Sequence, residues 1–344
     1  MDAFFHPDQT RHAPQFFLRF GRVVACFETP ARAEALLLGV RGAGLAIREP
    51  ALPDLGELAA VHDPSYLGFL RDSPREWAGL PGAGAEVVPN MHPTPEMLAH
   101  GARAPEGVVG RAGWFLADTA CAIGPDTWAS AVASAGAALA AADAVAGGAR
   151  AAYALCRPPG HHAYSRRAGG HCYLNNAALA AERLRRAGAA RVAVLDLDVH
   201  HGNGTQGIFW HRGDVLTVSV HGDPRHFYPW FVGHADERGE GPGEGTNLNL
   251  PLPRGADDEA WLAAVADGAA AVRRFGADAL VVALGFDAWV GEPLGFLAVS
   301  EDGFARAAAT VSALGLPSVL VQEGGYAVDA LPKLVVRFLS AWRG

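Results

Sequence analysis

Cysteine is scarce in this chain: four in 344 residues. Cys26, Cys121, Cys156 and Cys172 form no Cys-x-x-Cys pair, which excludes a zinc ribbon and a thioredoxin-type redox motif. Such sparse, scattered thiols predict a reduced protein without disulfides. An excess of positive charge is also missing. The formal net charge is −8, and phosphate backbones want a basic face, so no nucleic-acid partner is expected. Arg183, Arg185, Arg186 and Arg191 lie close together, but read as a solvated helix end. No run approaches the ~18 uncharged apolar residues of the sort that spans a bilayer. The longest low-charge stretch, residues 127–148, is Ala-rich and carries Asp143. The first residues, MDAFFHPDQTRHAP, lack the apolar core of a signal peptide. Together these absences predict a soluble, cytoplasmic protein with no membrane association.

Half of the residues are hydrophobic, enough for a large globular core. From about residue 127 onward helix and strand patterns alternate. Residues 127–145 read as a long Ala-rich helix, with Asp126 or Thr127 as N-cap. Residues 175–187, 257–275 and 300–314 read as further helices. They end at Gly188, Gly276 and Gly315, where glycine suits a C′ position of positive φ. An apolar run follows each one: RVAVL, DALVVAL and PSVLV. Strands apolar on both faces belong in a parallel sheet covered by helices, so the class is α/β, a single domain over 1–344. The first 126 residues are less regular, with short helices expected at 31–40 and 64–70. A Gly/Pro-rich loop insertion is expected at 77–113, too long for an ordinary connection and therefore functional or disordered.

Five apolar runs end in residues that carry chemistry: RPPGHH at 157–162, DLDVHHGN at 196–203, SVH at 219–221, GFD at 285–287 and EGGY at 323–326. Ligands of open parallel sheets bind outside the carboxyl ends of the strands. Asp198 and His200 are two apart, so on an extended backbone they point the same way. Asp287, from another strand, supplies a third ligand. An Asp-His-Asp set leaves positions open for water and substrate, as a catalytic divalent site requires. Zn²⁺ is the default for such a set, and Fe²⁺, Co²⁺ or Mn²⁺ also fit. The Pro-Pro-Gly before His161 and His162 stiffens the chain and then turns it, holding two imidazoles at a strand end. One of them can act as general base and then as general acid. Each needs an orienting partner, for which Asp196 and Asn203 are the candidates. Tyr326, after two glycines, is placed to donate to a developing oxyanion.

The stretches RPPGHHA, GGHCYLNNAA, LDLDVHHGNGTQ, SVHGDP and EGGY, with Asp287, resemble the arginase/deacetylase superfamily, in its histone deacetylase and acetylpolyamine amidohydrolase branch. They cover about 150–330. The resemblance implies one α/β domain with an eight-stranded, mostly parallel sheet. It implies Zn²⁺ on Asp198, His200 and Asp287, tandem histidines His161 and His162 with His162 as base and acid, Asp196 paired with His161, and Tyr326 polarising the amide carbonyl. The Gly170 carbonyl would accept the substrate N–H. Structural K⁺ would be held by Asp196, Asp198, His200, Ser219 and Val220, and at an outer site by carbonyls near Phe209, Arg212 and Val215.

The segment VVGRAGWFLADTACAIGPDTW, the loop before it and the EPLGF after Asp287 resemble the bacterial acetylpolyamine amidohydrolases. There the loop reaches across a homodimer interface and narrows the mouth. The expected activity is deacetylation of small acetylated amines, such as acetylputrescine or acetylcadaverine, by metal-activated water. A protein acetyl-lysine deacetylase is the alternative, and a non-catalytic metal-binding scaffold a remote one. Three departures bear on specificity. Asn203 stands where some relatives have Asp. His171 stands at a tunnel-wall aromatic position, with Tyr228 or Phe227 opposite. Leu294 sits where a polyamine-selective enzyme carries an acidic gatekeeper. Val109 and Ala120 replace other expected acids, and Glu106, Asp118 and Glu292 are acids nearby.

Overall fold

The computed structural model describes residues 1–344. Its strands are β1 (Ala3–Phe4), β2 (Phe16–Arg19), β3 (Arg22–Ala25), β4 (Ile47–Arg48), β5 (Ala151–Ala154), β6 (Val192–Asp196), β7 (Val215–Gly222), β8 (Asn247–Leu252), β9 (Ala279–Leu284) and β10 (Ser318–Gln322). Eight of them form one sheet in the order β4-β1-β5-β10-β9-β6-β7-β8. Every pairing in it is parallel. The remaining two, β2 and β3, form a separate antiparallel hairpin.

The helices are α1 (Pro30–Gly42), α2 (Leu55–Leu58), α3 (Pro64–Ala78), α4 (Pro95–Ala99), α5 (Val108–Phe115), α6 (Thr127–Ala146), α7 (Asn176–Arg186), α8 (Asn203–Phe209), α9 (Asp258–Phe275), α10 (Glu301–Ser312) and α11 (Leu331–Arg343). Alternate strand residues point to opposite faces, and each face has its own core. Leu195, Val218, Val282 and Leu320 pack with α1, α9, α10 and α11. Val194, Val281, Ala283 and Val321 pack with α6 and α7. A third core lies under the N-terminal segment, where Tyr66 and Phe69 of α3 meet Phe115 of α5 and Tyr173.

Local chemistry sets the helix ends. The side chains of Asn175, Asp257 and Ser300 accept the N–H of Ala178, Ala260 and Gly303, capping α7, α9 and α10. Gly188, Gly276 and Gly315 all take positive φ where their helices stop. At α6 neither expected cap acts on the first turn. Asp126 pairs with Arg11, and Thr127 Oγ1 accepts the Gly124 N–H at 2.9 Å.

Three expectations need correction. The helix expected over 64–70 continues through Pro74 to Ala78, because its face carrying Tyr66, Phe69, Leu70 and Trp77 is buried. The insertion at 77–113 is not one loop. It contains α4 and most of α5, and Val87 bridges to Ile123. Finally, α6 does have the length and hydropathy to cross a membrane, but 72% of its apolar window is buried inside the fold. The arginine cluster is consumed by ion pairs: Arg183 with Asp143, Arg185 with Asp214 and Arg186 with Glu182. Arg191 donates to the Phe275 carbonyl. All four cysteines are buried and unpaired.

Candidate metal centre and active site

Strands β5, β10, β9, β6 and β7 are consecutive neighbours in the sheet. Asp196, the last residue of β6, is in register with Ser219 of β7 and Ala283 of β9. The turns after these strands therefore meet at one edge. There Asp198, His200 and Asp287 bring their ligand atoms within 4.8 Å of one another. His200 Nδ1 lies 3.2 Å from both Asp198 Oδ1 and Asp287 Oδ2.

Main-chain donors hold the two carboxylates in place. Asp198 accepts the N–H of His200 at 2.9 Å and of Gly324 at 2.8 Å. Asp287 accepts the N–H of Val199 at 2.9 Å. A Cβ on Gly324 would stand 2.1 Å from Asp287 Oδ2 and 2.5 Å from Asp198 Oδ2, so only glycine lets the Tyr326 loop approach this closely. Both aspartates are fully buried. Burial, and then the charge of Asp198, push the Asp287 carboxyl up. For Asp198 burial acts the same way, but His161 and His200 outweigh it and hold the group below its usual range. Two adjacent buried carboxylates beside an imidazole nitrogen, with no lysine or arginine between them, fit a divalent cation.

A second trio, His161, Cys172 and Glu323, is equally compact. Burial raises the Cys172 thiol well above its ordinary value and the Glu323 carboxyl to about 8. A protonated thiol does not ligate, while at Glu323 the effect of burial is opposed by His161 and by two main-chain donors. Glu323 has other work: its Oε2 accepts the N–H of Gly160 at 2.6 Å and of His161 at 3.0 Å. It clamps the turn that carries the tandem histidines.

His161 Nδ1 lies 2.9 Å from Asp196 Oδ2. Burial pulls its pKa down, but Asp198, Asp196 and Glu323 overcome this and raise it well above the usual value. His162 Nδ1 lies 2.6 Å from Asn203 Oδ1. An amide oxygen only accepts, so this nitrogen donates and Nε2 keeps its lone pair. Burial, then the neighbouring His161 and His200, lower the His162 pKa well below the ordinary value. The two adjacent rings thus have opposite proton affinities.

Burial raises the Tyr326 phenol far above its usual pKa, keeping it a hydrogen-bond donor. The guanidinium of Arg32 lies 4.6 Å from its ring centroid. His171 is 5.8 Å away, centroid to centroid. It packs edge-on to Phe17, with Nδ1 3.8 Å from Cys26 Sγ. Tyr228 sets its ring edge-on to His162 at 4.9 Å and donates to Asp118 Oδ2 at 2.7 Å. Phe227 stacks on His200 at 4.7 Å. Asp118 also accepts the N–H of Gly170. A Cβ on Gly170 would lie 2.3 Å from His162 Cδ2, so the backbone there approaches the histidine as only glycine can.

The other expected residues lie as follows. Ser219 Oγ is 2.9 Å from His221 Nδ1, and Val220 is buried beside it. The Phe209 carbonyl accepts the Arg212 N–H, and the Arg212 carbonyl accepts Thr246 Oγ1 at 3.0 Å. Val215 opens β7. Leu294 is half-buried and Glu106 exposed, while Val109 is 36% exposed on α5. Glu292 accepts main-chain N–H groups of Tyr326 and Ala327.

A buried ion triad escaped the sequence reading. Glu28 pairs with Arg32 and, at 2.7 Å, with Arg157 Nε, all three fully buried. Arg32 donates to the carbonyls of Gly325 and Glu323 at 2.6 and 2.7 Å. The i,i+4 spacing of Glu28 and Arg32 at a helix start was the available signal.

Comparison with known proteins agrees with this geometry. The histone deacetylase domain model matches residues 26–342. The acetylpolyamine amidohydrolase of Burkholderia pseudomallei (strain 1710b) is 48% identical over 332 residues, spanning 96% of this chain and 95% of that protein. The acetylpolyamine amidohydrolase of Mycoplana ramosa is 39% identical over 345 residues, spanning all of both chains. A crystal structure of acetylpolyamine aminohydrolase from Burkholderia pseudomallei superposes with a TM-score of 0.95 at 47% identity, covering 99% of this chain and 98% of that one. The HDA15 HD domain gives 0.80 at 26% identity, covering 100% and 91%. Sheet, strand-end residues and relatives thus agree, and the chain belongs to the histone deacetylase and acetylpolyamine amidohydrolase family of metal-dependent amidohydrolases.

Proposed function

We propose that this enzyme removes acetyl groups from small acetylated amines, acetylputrescine or acetylcadaverine among them, and that Asp198, His200 and Asp287 hold its Zn²⁺. The observation that carries the reading is the convergence of these three ligand atoms beside the tandem histidines. When bound, such a metal lowers the pKa of water toward ~7 and polarises a carbonyl. The protein's own groups do the rest. His162, neutral and with Nε2 free, takes a proton from the attacking water and returns it to the departing amine. His161, paired with Asp196, lies beside it. Tyr326 donates its phenolic proton to the developing oxyanion. The Gly170 carbonyl accepts the amide N–H, while His171, Tyr228 and Leu294 shape the passage. K⁺ bound at Asp196, Asp198, His200, Ser219 and Val220, and near Phe209, Arg212 and Val215, would stiffen the edge. The small-amine preference is supported by the names of the relatives at 48% and 39% identity. Pairing of two copies through the 77–113 segment would narrow the mouth, and a cytoplasmic setting suits buried thiols.

The deciding experiment is kcat/KM for acetylputrescine beside an acetyl-lysine peptide, on zinc-loaded enzyme. A large preference for acetylputrescine supports the small-amine reading. A preference for the peptide moves the enzyme to protein deacetylation, the reading favoured by the match to the histone deacetylase domain.

A further inference from the structure

Tyr326 donates to the oxyanion only if its backbone is fixed, and two groups fix it from opposite sides. Arg32 holds the carbonyl side, at Gly325. Glu292 holds the N–H side. Both of its carboxylate oxygens lie 3.0 Å from the Tyr326 nitrogen, and Oε2 lies 3.1 Å from that of Ala327. Glu292 belongs to a different segment, the turn after Asp287. That turn is pinned by its own bonds. The Glu292 N–H donates to the Trp289 carbonyl, and the Glu292 carbonyl accepts the Gly295 N–H. The next residue, Pro293, offers its carbonyl to Arg19 of the β2–β3 hairpin at 3.3 Å. Leu294 follows it in the same turn.

We propose that Glu292 is a positioning residue for Tyr326, and that it couples the mouth turn bearing Leu294 to the oxyanion donor. A carboxyl group accepting two consecutive main-chain N–H groups is a directional tether, because it fixes both the position and the orientation of the peptide it holds. Glu323 does the same for the Gly160–His161 turn. The two glutamates thus fix the two turns, and only Glu292 comes from the turn after Asp287 that also meets the β2–β3 hairpin. A substrate or partner that displaces the 290–296 turn therefore shifts the Tyr326 backbone.

The inference rests on Tyr326 being the oxyanion donor, so the test separates the two claims. It compares wild-type enzyme, Y326F, E292L, E292Q and the E292L/Y326F double variant. Each is assayed with acetylputrescine and with an acetyl-lysine aminocoumarin, and its metal content measured. Loss of one oxyanion donor lowers kcat ~10²–10³-fold, which is the result expected of Y326F. E292L should lower kcat ~10–100-fold with KM within ~3-fold and metal content unchanged, the pattern of an interaction felt in the transition state. E292Q, which keeps an acceptor oxygen, should recover most of that loss. The double variant should be no slower than Y326F, since groups acting as one unit are not additive. If the E292L and Y326F losses multiply, or if E292Q is as impaired as E292L, the positioning role is overturned while Tyr326 keeps its own. If Y326F retains full kcat, the oxyanion role falls and this inference falls with it. Should E292L fail to fold, E292D, one methylene too short to reach both N–H groups, carries the same comparison.

Discussion

Asp198 and Asp287 at the carboxyl edge of the sheet are fully buried. Away from that edge, Phe20 at the tip of the β2–β3 hairpin and Phe231 after Tyr228 are 88% and 86% exposed. The edge is held by short bonds from main-chain N–H groups to carboxylates, at Asp198, Asp287 and Glu323. Val290 and Leu18 are also more than half exposed, so apolar side chains face outward on these loops. The difference is one of function. A metal centre tolerates little displacement, so its ligands sit on rigid strand ends. Choice of substrate depends on shape, which loops can alter without touching the chemistry.

The largest test of this contrast is Asp287→Ala. It should remove stoichiometric metal after dialysis and abolish measurable turnover, with metal content read by mass spectrometry. Full metal retention would take Asp287 out of the ligand set. Tyr326→Phe comes next: kcat should fall ~10²–10³-fold with metal intact, which separates oxyanion stabilisation from metal binding. An exposed loop residue should behave differently. Phe231→Ala is expected to change KM by a few-fold, ~10-fold at most, and to leave kcat and metal alone. If it strips the metal, edge and outer loops are not independent.

The smallest effect is one of stability. His62 Nε2 accepts the Asn175 N–H at 2.9 Å, which requires a neutral ring. Burial lowers its pKa to about 4. The unfolded chain takes up this proton near pH ~6.5, whereas the folded one resists it until about 4. The contribution is therefore complete above ~6.5 and lost as pH falls toward 4, a change of ~1–3 kcal/mol. His62→Gln, which keeps an acceptor, should flatten the fall of Tm between pH 6.5 and 4; an unchanged slope would assign the acid sensitivity elsewhere.

The strand-end residues were legible because each apolar run stops at a residue with lone pairs or charge, and a parallel sheet gathers those ends. The C-terminal glycines were legible for a local reason, since positive φ is cheap only there. The continuation of α3 past Pro74 was not, because the packing of Trp77 and Leu70 overrides a helix breaker. Nor was α5, whose Val108, Ala112 and Phe115 find partners only once α3 is in place. The roles of Glu323 and Glu292 left no periodic trace. Accepting main-chain N–H groups from a distant segment fixes a position in space, and the sequence shows only an acid. The sequence left the aromatic opposite His171 open between Phe227 and Tyr228; the structure packs Phe227 on His200 and Tyr228 on His162, while His171 itself meets Phe17 and Tyr326.

The four buried cysteines have a practical consequence. Burial raises Cys26 to about 12 and the other three thiols well above their ordinary value. At neutral pH almost none is thiolate, and a modifying reagent reaches them only when the surrounding structure opens. Because Cys172 lies beside the tandem histidines and Cys121 in the core of α3 and α5, their alkylation rates would act as separate clocks, one timing exposure of the catalytic edge and the other exposure of that core.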